Sequence, residues 1–227
     1  MAETPYLIAI TGGSGSGKST LAEALARHVP QAEAIIFHED GYYWPRSQTR
    51  QQAQKLETPG WESIINFDDP ASKDTGLMAH HLAQLKSGQT IEQPIYDYDK
   101  HDRAVETLTI TPKKLLILEG IHVLSIAQIA PLIDLSIYVD TPDDLRLARR
   151  LRRDVTERQR SVESVLGQYL STVRAAHYRF TYPTKFQADL VIADEGLPAY
   201  GEVTPSDTAI ARMMAPILTR LHADEVF

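Results

Sequence analysis

The sequence predicts an α/β fold: a doubly wound parallel sheet with an inserted β-hairpin and an arginine-rich helical lid. Three observations carry this expectation. Short apolar runs recur along the 227 residues and alternate with segments of helical period, the pattern of strands joined by helical crossovers. The first run passes into a helix through Gly12-Gly13-Ser14-Gly15-Ser16-Gly17-Lys18-Ser19-Thr20, which has the spacing G-x-x-x-x-G-K-[ST]. A late helix carries Arg146, Arg149, Arg150, Arg152 and Arg153 in a chain whose net charge is -7.

Composition bounds the remaining possibilities. With 43% hydrophobic and 23% charged residues the chain is of ordinary globular type, and its length suits a single domain over 1–227. The negative balance argues against a broad basic face for nucleic acid, so the basic residues that matter should be local and aimed at small anions. The chain has no cysteine, which excludes disulfides and Cys metal sites. Met1-Ala2-Glu3-Thr4-Pro5 leads into the first strand with no basic region ahead of an apolar core, and no stretch approaches the roughly 20 apolar residues of a membrane span. A cytoplasmic protein with no membrane and no nucleic-acid partner is expected.

Taken in order, Tyr6-Leu7-Ile8-Ala9-Ile10 reads as a short buried strand, and Leu21, Leu25 and Ala26 mark the apolar side of the helix after the glycine loop. Residues without a Cβ let backbone N–H groups turn inward around an anion, and the helix N-terminus adds partial positive charge behind them. Lys18 would reach the β- and γ-phosphates of a nucleotide, and the Ser19 hydroxyl would ligate Mg²⁺. The competing reading is a Gly/Ser linker; the flanking strand and helix argue against it.

Ala32 to Phe37 forms a second apolar run that ends at His38-Glu39-Asp40-Gly41-Tyr42-Tyr43. Ligands collect beyond the carboxyl ends of strands in open α/β sheets, so Asp40 should share the rim with the phosphate loop, unless it is only a turn acid before Gly41. Trp44 to Ile65 is polar and carries no assignable role. A helix after Asn66-Phe67-Asp68-Asp69-Pro70 presents Leu77, Met78, His81, Leu82 and Leu85 on one side; joint metal ligation by the adjacent His80 and His81 does not fit that geometry.

Residues 91–112 read as a hairpin off the main sheet, fit to wall a second-substrate pocket. Leu115-Leu116-Ile117-Leu118-Glu119 is an apolar strand ending in one carboxylate, placed at the rim to hold Mg²⁺ directly or through water. Leu135 to Asp140 gives a further strand. Thr141-Pro142-Asp143-Asp144 then opens the arginine-bearing helix of a lid over about 141–162. A charged, solvated helix is the plain alternative; with a nucleotide site at hand, arginines closing over transferring phosphate is the favoured one. A long helix from Ser161 through His177, a last strand over Ala188 to Ile192, a loop from Glu195 to Pro205 and a C-terminal helix from Thr208 to Leu221 complete the chain.

In order and spacing, the glycine loop, Asp40-Gly41-Tyr42-Tyr43, Asn66 to Pro70, Tyr96-Asp97-Tyr98-Asp99-Lys100-His101-Asp102-Arg103, Leu118-Glu119-Gly120, Asp154 to Arg160, Gln168-Tyr169 and Pro183-Thr184-Lys185 resemble the uridine/cytidine kinase family of phosphate-loop nucleoside kinases. The resemblance spans roughly residues 6 to 195. It implies the phosphate-loop kinase fold and transfer of phosphate from ATP (or GTP), with Mg²⁺, to the 5′-hydroxyl of uridine or cytidine in pyrimidine salvage. Asp40 would take the proton of that hydroxyl and join Ser19 and Glu119 near the metal, with Lys18 and Arg158 as the other catalytic residues. Asp68 would hold the ribose hydroxyls with Tyr43 and Phe67 nearby, Tyr96 and Tyr98 would shape the base pocket, and His101 would read the pyrimidine 4-position. Arg150, Arg160 and Gln168 would contact the nucleoside, and Arg153 and Arg158 the ATP phosphates. Members of the family commonly form homotetramers.

Three departures concern the acceptor side and the lid. The segment between Tyr43 and Asn66 is longer than usual; Lys73 and Asp69 replace an aromatic and a histidine; and Gln159 stands where glycine is customary between the two lid arginines. Two alternatives therefore stay open. One is a related kinase for another small hydroxyl compound, resembling phosphoribulokinase, pantothenate kinase or nicotinamide riboside kinase. The other is a regulatory protein that holds ATP without transferring phosphate.

Overall fold

Residues 4–29, 33–48, 66–97, 100, 102–194 and 207–226 are described by the computed structural model. Tyr98, His101, the loop from 195 and most of the polar segment 44–65 lie outside them.

Five strands form one sheet: β1 (Tyr6–Thr11), β2 (Ala34–His38), β5 (Leu115–Glu119), β6 (Leu135–Asp140) and β7 (Leu190–Ala193). Their spatial order is β2-β5-β1-β6-β7, and every neighbouring pair is parallel. All carboxyl ends therefore gather on one rim. The chain runs from β1 to one side and later returns to the other, so the strand order reverses beside β1, the switch point where such sheets bind ligands.

Alternation along the strands supplies two apolar faces. Ile8, Ile10, Leu115, Ile117 and Ile137 pack against Leu21 and Leu25 of α1 (Lys18–His28) and against Met213, Ile217 and Leu221 of the C-terminal helix. Leu7, Ala9, Leu116 and Leu118 pack on the opposite side against Met78, Leu82 and Leu85 of α2 (Thr75–Lys86) and against Ile91 and Ile110 at the foot of the hairpin. Each fully buried Leu or Ile of this kind contributes about 1.5–3 kcal/mol. His81 does not belong to that apolar set; its ring nitrogen meets the Tyr42 hydroxyl at 2.7 Å.

The hairpin consists of β3 (Ile91–Asp97) and β4 (Asp102–Ile110), paired antiparallel with a bulge between Pro94 and Tyr96. It is a separate two-stranded sheet tied to the end of β2, where Gln93 Nε2 donates to the His38 carbonyl at 2.8 Å. The arginine-bearing helix is α3 (Asp143–Thr156).

The regular helix expected over Ser161 to His177 is corrected. Only α4 (Val162–Gln168) is α-helical at its start; Tyr169–Val173 and His177–Thr181 are π-helical around one α turn, and a 3-10 turn, Tyr182–Phe186, follows. A π turn widens the coil by one residue, and a periodicity argument does not resolve so small a change. The last helix, α5 (Asp207–Ala223), keeps its course through Pro216 and outruns the expected Thr208 to Leu221. No helix among the described residues is long and apolar enough to cross a membrane.

Candidate active site

The phosphate loop lies between β1 and α1. Its tightness rests on Gly15, at φ +81°, where a Cβ would come within 2.3 Å of the Arg146 carbonyl oxygen. The loop is thus packed directly on the first turns of α3. Thr141 Oγ1 donates to the Ser16 carbonyl at 2.9 Å, and Arg150 Nη1 donates to Ser14 Oγ at 3.0 Å. α1 starts without a side-chain cap, whereas α2 is capped by Asp74 and α4 by Ser161. An N-terminus left with its N–H groups uncapped beside a glycine loop is built for an external anion.

Register carries the acids to the same rim. Glu119 is opposite Ile10 on β1 and opposite His38 on β2. Its Oε2 accepts from Ser19 Oγ at 3.0 Å, and its Oε1 lies 2.8 Å from His38 Nδ1. That hydrogen bond with Glu119 raises the His38 pKa above its ordinary value despite partial burial. Adjacent ligands of an octahedral Mg²⁺ at about 2.1 Å stand roughly 3 Å apart. The hard oxygens of Ser19 and Glu119 fit that spacing. No group of three or more His, Asp or Glu fit to hold a metal occurs among the described residues, so most of the coordination sphere would come from phosphate and water.

Asp40 follows in the 3-10 turn Glu39–Tyr42 at the end of β2, with its side chain 49% exposed and one oxygen 3.5 Å from Lys73 Nζ. Its neighbour Glu39 is fully buried, against Lys73 at 3.0 Å and the His122 N–H at 3.1 Å. Burial would raise the Glu39 carboxyl, but the Lys73 ammonium and the His122 hydrogen bonds prevail and hold it well below the usual range.

On the side expected for the acceptor, Tyr43, Phe67 and Tyr96 form an aromatic cluster, with Tyr43 centred 5.6 Å from Phe67 and 5.0 Å from Tyr96. Asp68 is buried and accepts from Thr172 Oγ1 at 3.2 Å, while its carbonyl meets His122 Nε2 at 2.8 Å. Arg103 fastens the hairpin to this wall through Nε to the Tyr43 carbonyl at 2.8 Å and Nη2 to the Tyr42 carbonyl at 3.2 Å. Asp69, one of the departures, caps the short 3-10 turn Pro70–Ser72 by accepting from the Ala71 N–H at 2.9 Å.

The lid arginines converge on one buried acid. Asp154 accepts from Arg153 Nε at 3.0 Å and Nη2 at 2.8 Å, with Arg150 at 3.6 Å, Arg158 at 3.7 Å and Arg160 at 3.6 Å around it. Gln168 Oε1 accepts from Arg150 Nη2 at 2.9 Å and from Arg160 Nη1 at 2.7 Å. Gln159 adopts φ +53°, the left-handed conformation in which glycine is unstrained, and this accounts for the glycine customary there. Not every arginine of α3 joins this cluster: Arg149 is paired in the interior with Asp194 beyond β7, and Arg146 with Asp143.

The structure thus gathers Ser14, Ser19, Glu119 and Arg150 at the phosphate loop, Tyr43, Phe67, Asp68 and Tyr96 at the wall expected for the acceptor, and Arg153, Arg158, Arg160 and Gln168 in the segment expected as a lid. Sequence reading gave no role to Glu39, His122, Thr172 or Asp154. Asp154 had a signal, being the one acid spaced -4, -1, +4 and +6 from arginines.

The model of the Phosphoribulokinase / Uridine kinase family matches residues 7–197. A uridine kinase of Alkaliphilus metalliredigens is 41% identical over 192 residues, which span 85% of this chain and 88% of the relative. A uridine kinase of Borrelia turicatae is 43% identical over 190 residues, 84% and 87% of the respective chains. Among solved structures, phosphoribulokinase from Rhodobacter spheroides superposes with a TM-score of 0.59 at 15% identity, covering 90% of this chain and 75% of its own; at that identity the likeness is one of fold alone.

Proposed function

Because the chain belongs to the phosphoribulokinase/uridine kinase family, we propose that it transfers the γ-phosphate of ATP to the 5′-hydroxyl of uridine and cytidine, and that Asp40 is the base. It is a nucleoside kinase with a phosphate-loop fold. The observation that carries the assignment of roles is the strand register: Glu119 stands between the β1 end, which leads into the phosphate loop, and the β2 end, which leads into Asp40.

Phosphoryl transfer asks the protein mainly to align the partners and to offset spreading negative charge. The uncapped N-terminus of α1 and Lys18 hold the donor phosphates. Mg²⁺, held by Ser19 and Glu119 with Asp40 nearby, would supply further charge neutralisation at those phosphates. Asp68 grips the ribose hydroxyls and Asp40 takes the proton from the attacking oxygen. Arg153 and Arg158 answer the charge on the phosphates, while Arg150, Arg160 and Gln168 close over the nucleoside. Tyr96, Tyr98 and His101 receive the base.

A sugar-phosphate acceptor would require uncommitted cations at the acceptor wall. Among the described residues, Arg103 is spent on two carbonyls and on Asp74 at 3.5 Å, and Lys73 on Glu39, which favours an uncharged acceptor. GTP as alternative donor, a cytoplasmic setting and assembly into a homo-oligomer, a tetramer by resemblance, belong to the same proposal.

A coupled assay across pyrimidine nucleosides and sugar phosphates tests the acceptor; turnover with ribulose phosphate and none with pyrimidine nucleosides rejects it. Asp40→Asn should keep ATP binding while kcat falls by about 10² or more, the scale of general-base effects. Unchanged turnover removes Asp40 from the mechanism.

A further inference from the structure

Lys73 is a lysine with a side chain 0% exposed, and such residues occur almost only in a dedicated partnership. Its place is fixed by backbone rather than by its own side chain. Asp74 N–H donates to the Tyr42 carbonyl at 2.8 Å and Trp44 N–H to the Ser72 carbonyl at 3.1 Å, so that Tyr43 and Lys73 face each other as an antiparallel bridge. From there Nζ reaches three groups: Glu39 Oε1 at 3.0 Å, Asp40 Oδ1 at 3.5 Å and the Tyr43 ring, 4.7 Å from its centre.

The two acids are neighbours in sequence and opposites in environment. Glu39 is locked: His122 donates its N–H to Oε2, His122 Nδ1 lies 3.5 Å from Oε1, and a Cβ on Gly120 would fall 1.9 Å from the carboxylate. Asp40 is half exposed at the rim. One ammonium thus spans an immobile carboxylate and the candidate base. We propose that Lys73 is a positioning residue for the transfer: anchored by Glu39, it holds one carboxylate oxygen of Asp40 so that the other is presented to the acceptor hydroxyl. The inference rests on the reading of Asp40 as base. A misplacement of the base by about 1 Å costs on the order of 10² in rate, so a fixed cation behind it has kinetic leverage.

A double-mutant cycle separates this role from mere support of Glu39. Lys73→Met keeps the stem and removes the charge; kcat with the best nucleoside of the panel is expected to fall about 10- to 100-fold, with the KM for ATP within about threefold. In the Asp40→Asn background the same substitution should change the residual rate by less than about threefold, because the carboxylate to be held is gone. If Glu39 without its counter-charge keeps Lys73→Met from folding, Glu39→Gln/Lys73→Met removes both charges of the pair and carries the same cycle with the same expected losses. Wild-type kcat in a folded lysine variant, or equal fold-losses in the wild-type and Asp40→Asn backgrounds, overturns the inference. Wild-type turnover by Asp40→Asn alone overturns the base reading and this inference with it; a slowed Asp40→Asn whose residual rate falls by the same factor as the wild type on Lys73→Met overturns the inference only.

Discussion

At the level of single residues, burial decides what each polar group does. His177 is 7% exposed, beneath the phosphate loop and beside Arg146, and its Nδ1 has no hydrogen-bond partner among the described residues. Burial first and the Arg146 charge second push its pKa down to about 4. Between that value and the ordinary 6.5 the unfolded chain binds a proton that the folded chain does not, so stability is full above pH 6.5 and declines on acidification, by at most about 1.4 kcal/mol per pH unit. Urea titrations at pH 7 and pH 5 should show that loss in the wild type and a smaller one in His177→Gln; equal pH dependence in both would exclude His177 as the source. The same rule separates Glu39 from Asp40. Adjacent letters carry no sign of which acid the turn will bury, and the answer depends on Lys73 and His122, which stand 34 and 83 positions away from Glu39 along the chain.

The lid shows what an element adds. α3 was legible from its N-terminal proline and acids and from its arginine density, but the purpose of the arginines was only half legible. Arg149 is a tether to Asp194, whereas Arg150, Arg153, Arg158 and Arg160 are gathered by Asp154. Four like charges cannot stay together around a neutral residue without repulsion that a buried carboxylate otherwise offsets. Asp154→Asn should therefore loosen the turn at Gln159, raising the KM for ATP and lowering kcat/KM by about tenfold or more, with faster tryptic cleavage after Arg158 or Arg160. Unchanged kinetics and unchanged cleavage would mean that the cluster is ornamental to the lid. The helix after it was legible as apolar stripe and not as coil type. Its two π turns lie where Thr172 reaches Asp68 in the turn before Pro70 and Thr181 reaches the Ile121 carbonyl just past β5, contacts remote in sequence that no local pattern contains.

The molecule as a whole couples these parts through the phosphate loop, which touches α3 at Gly15 and Ser14, Thr141 just ahead of α3 at Ser16, and β5 at Ser19. A nucleotide in the loop would therefore bear on lid and sheet together. Saturating ATP with Mg²⁺, at about 100 times its Kd, should add about 2.7 kcal/mol and raise the melting temperature by roughly 5–10 °C for a chain of this size. Asp40→Asn should keep that rise and Lys18→Ala should lose most of it; the reverse ranking would place the nucleotide elsewhere. By itself the sequence determined the parallel α/β architecture, the hairpin and the phosphate loop, because apolar period and glycine spacing are local properties that survive in a linear string. Only the tertiary structure decided that one lysine stands behind Asp40, that one aspartate gathers four arginines and that two arginines of α3 serve the frame, because ion pairing in a low-dielectric interior is set by distances through space between residues remote in sequence.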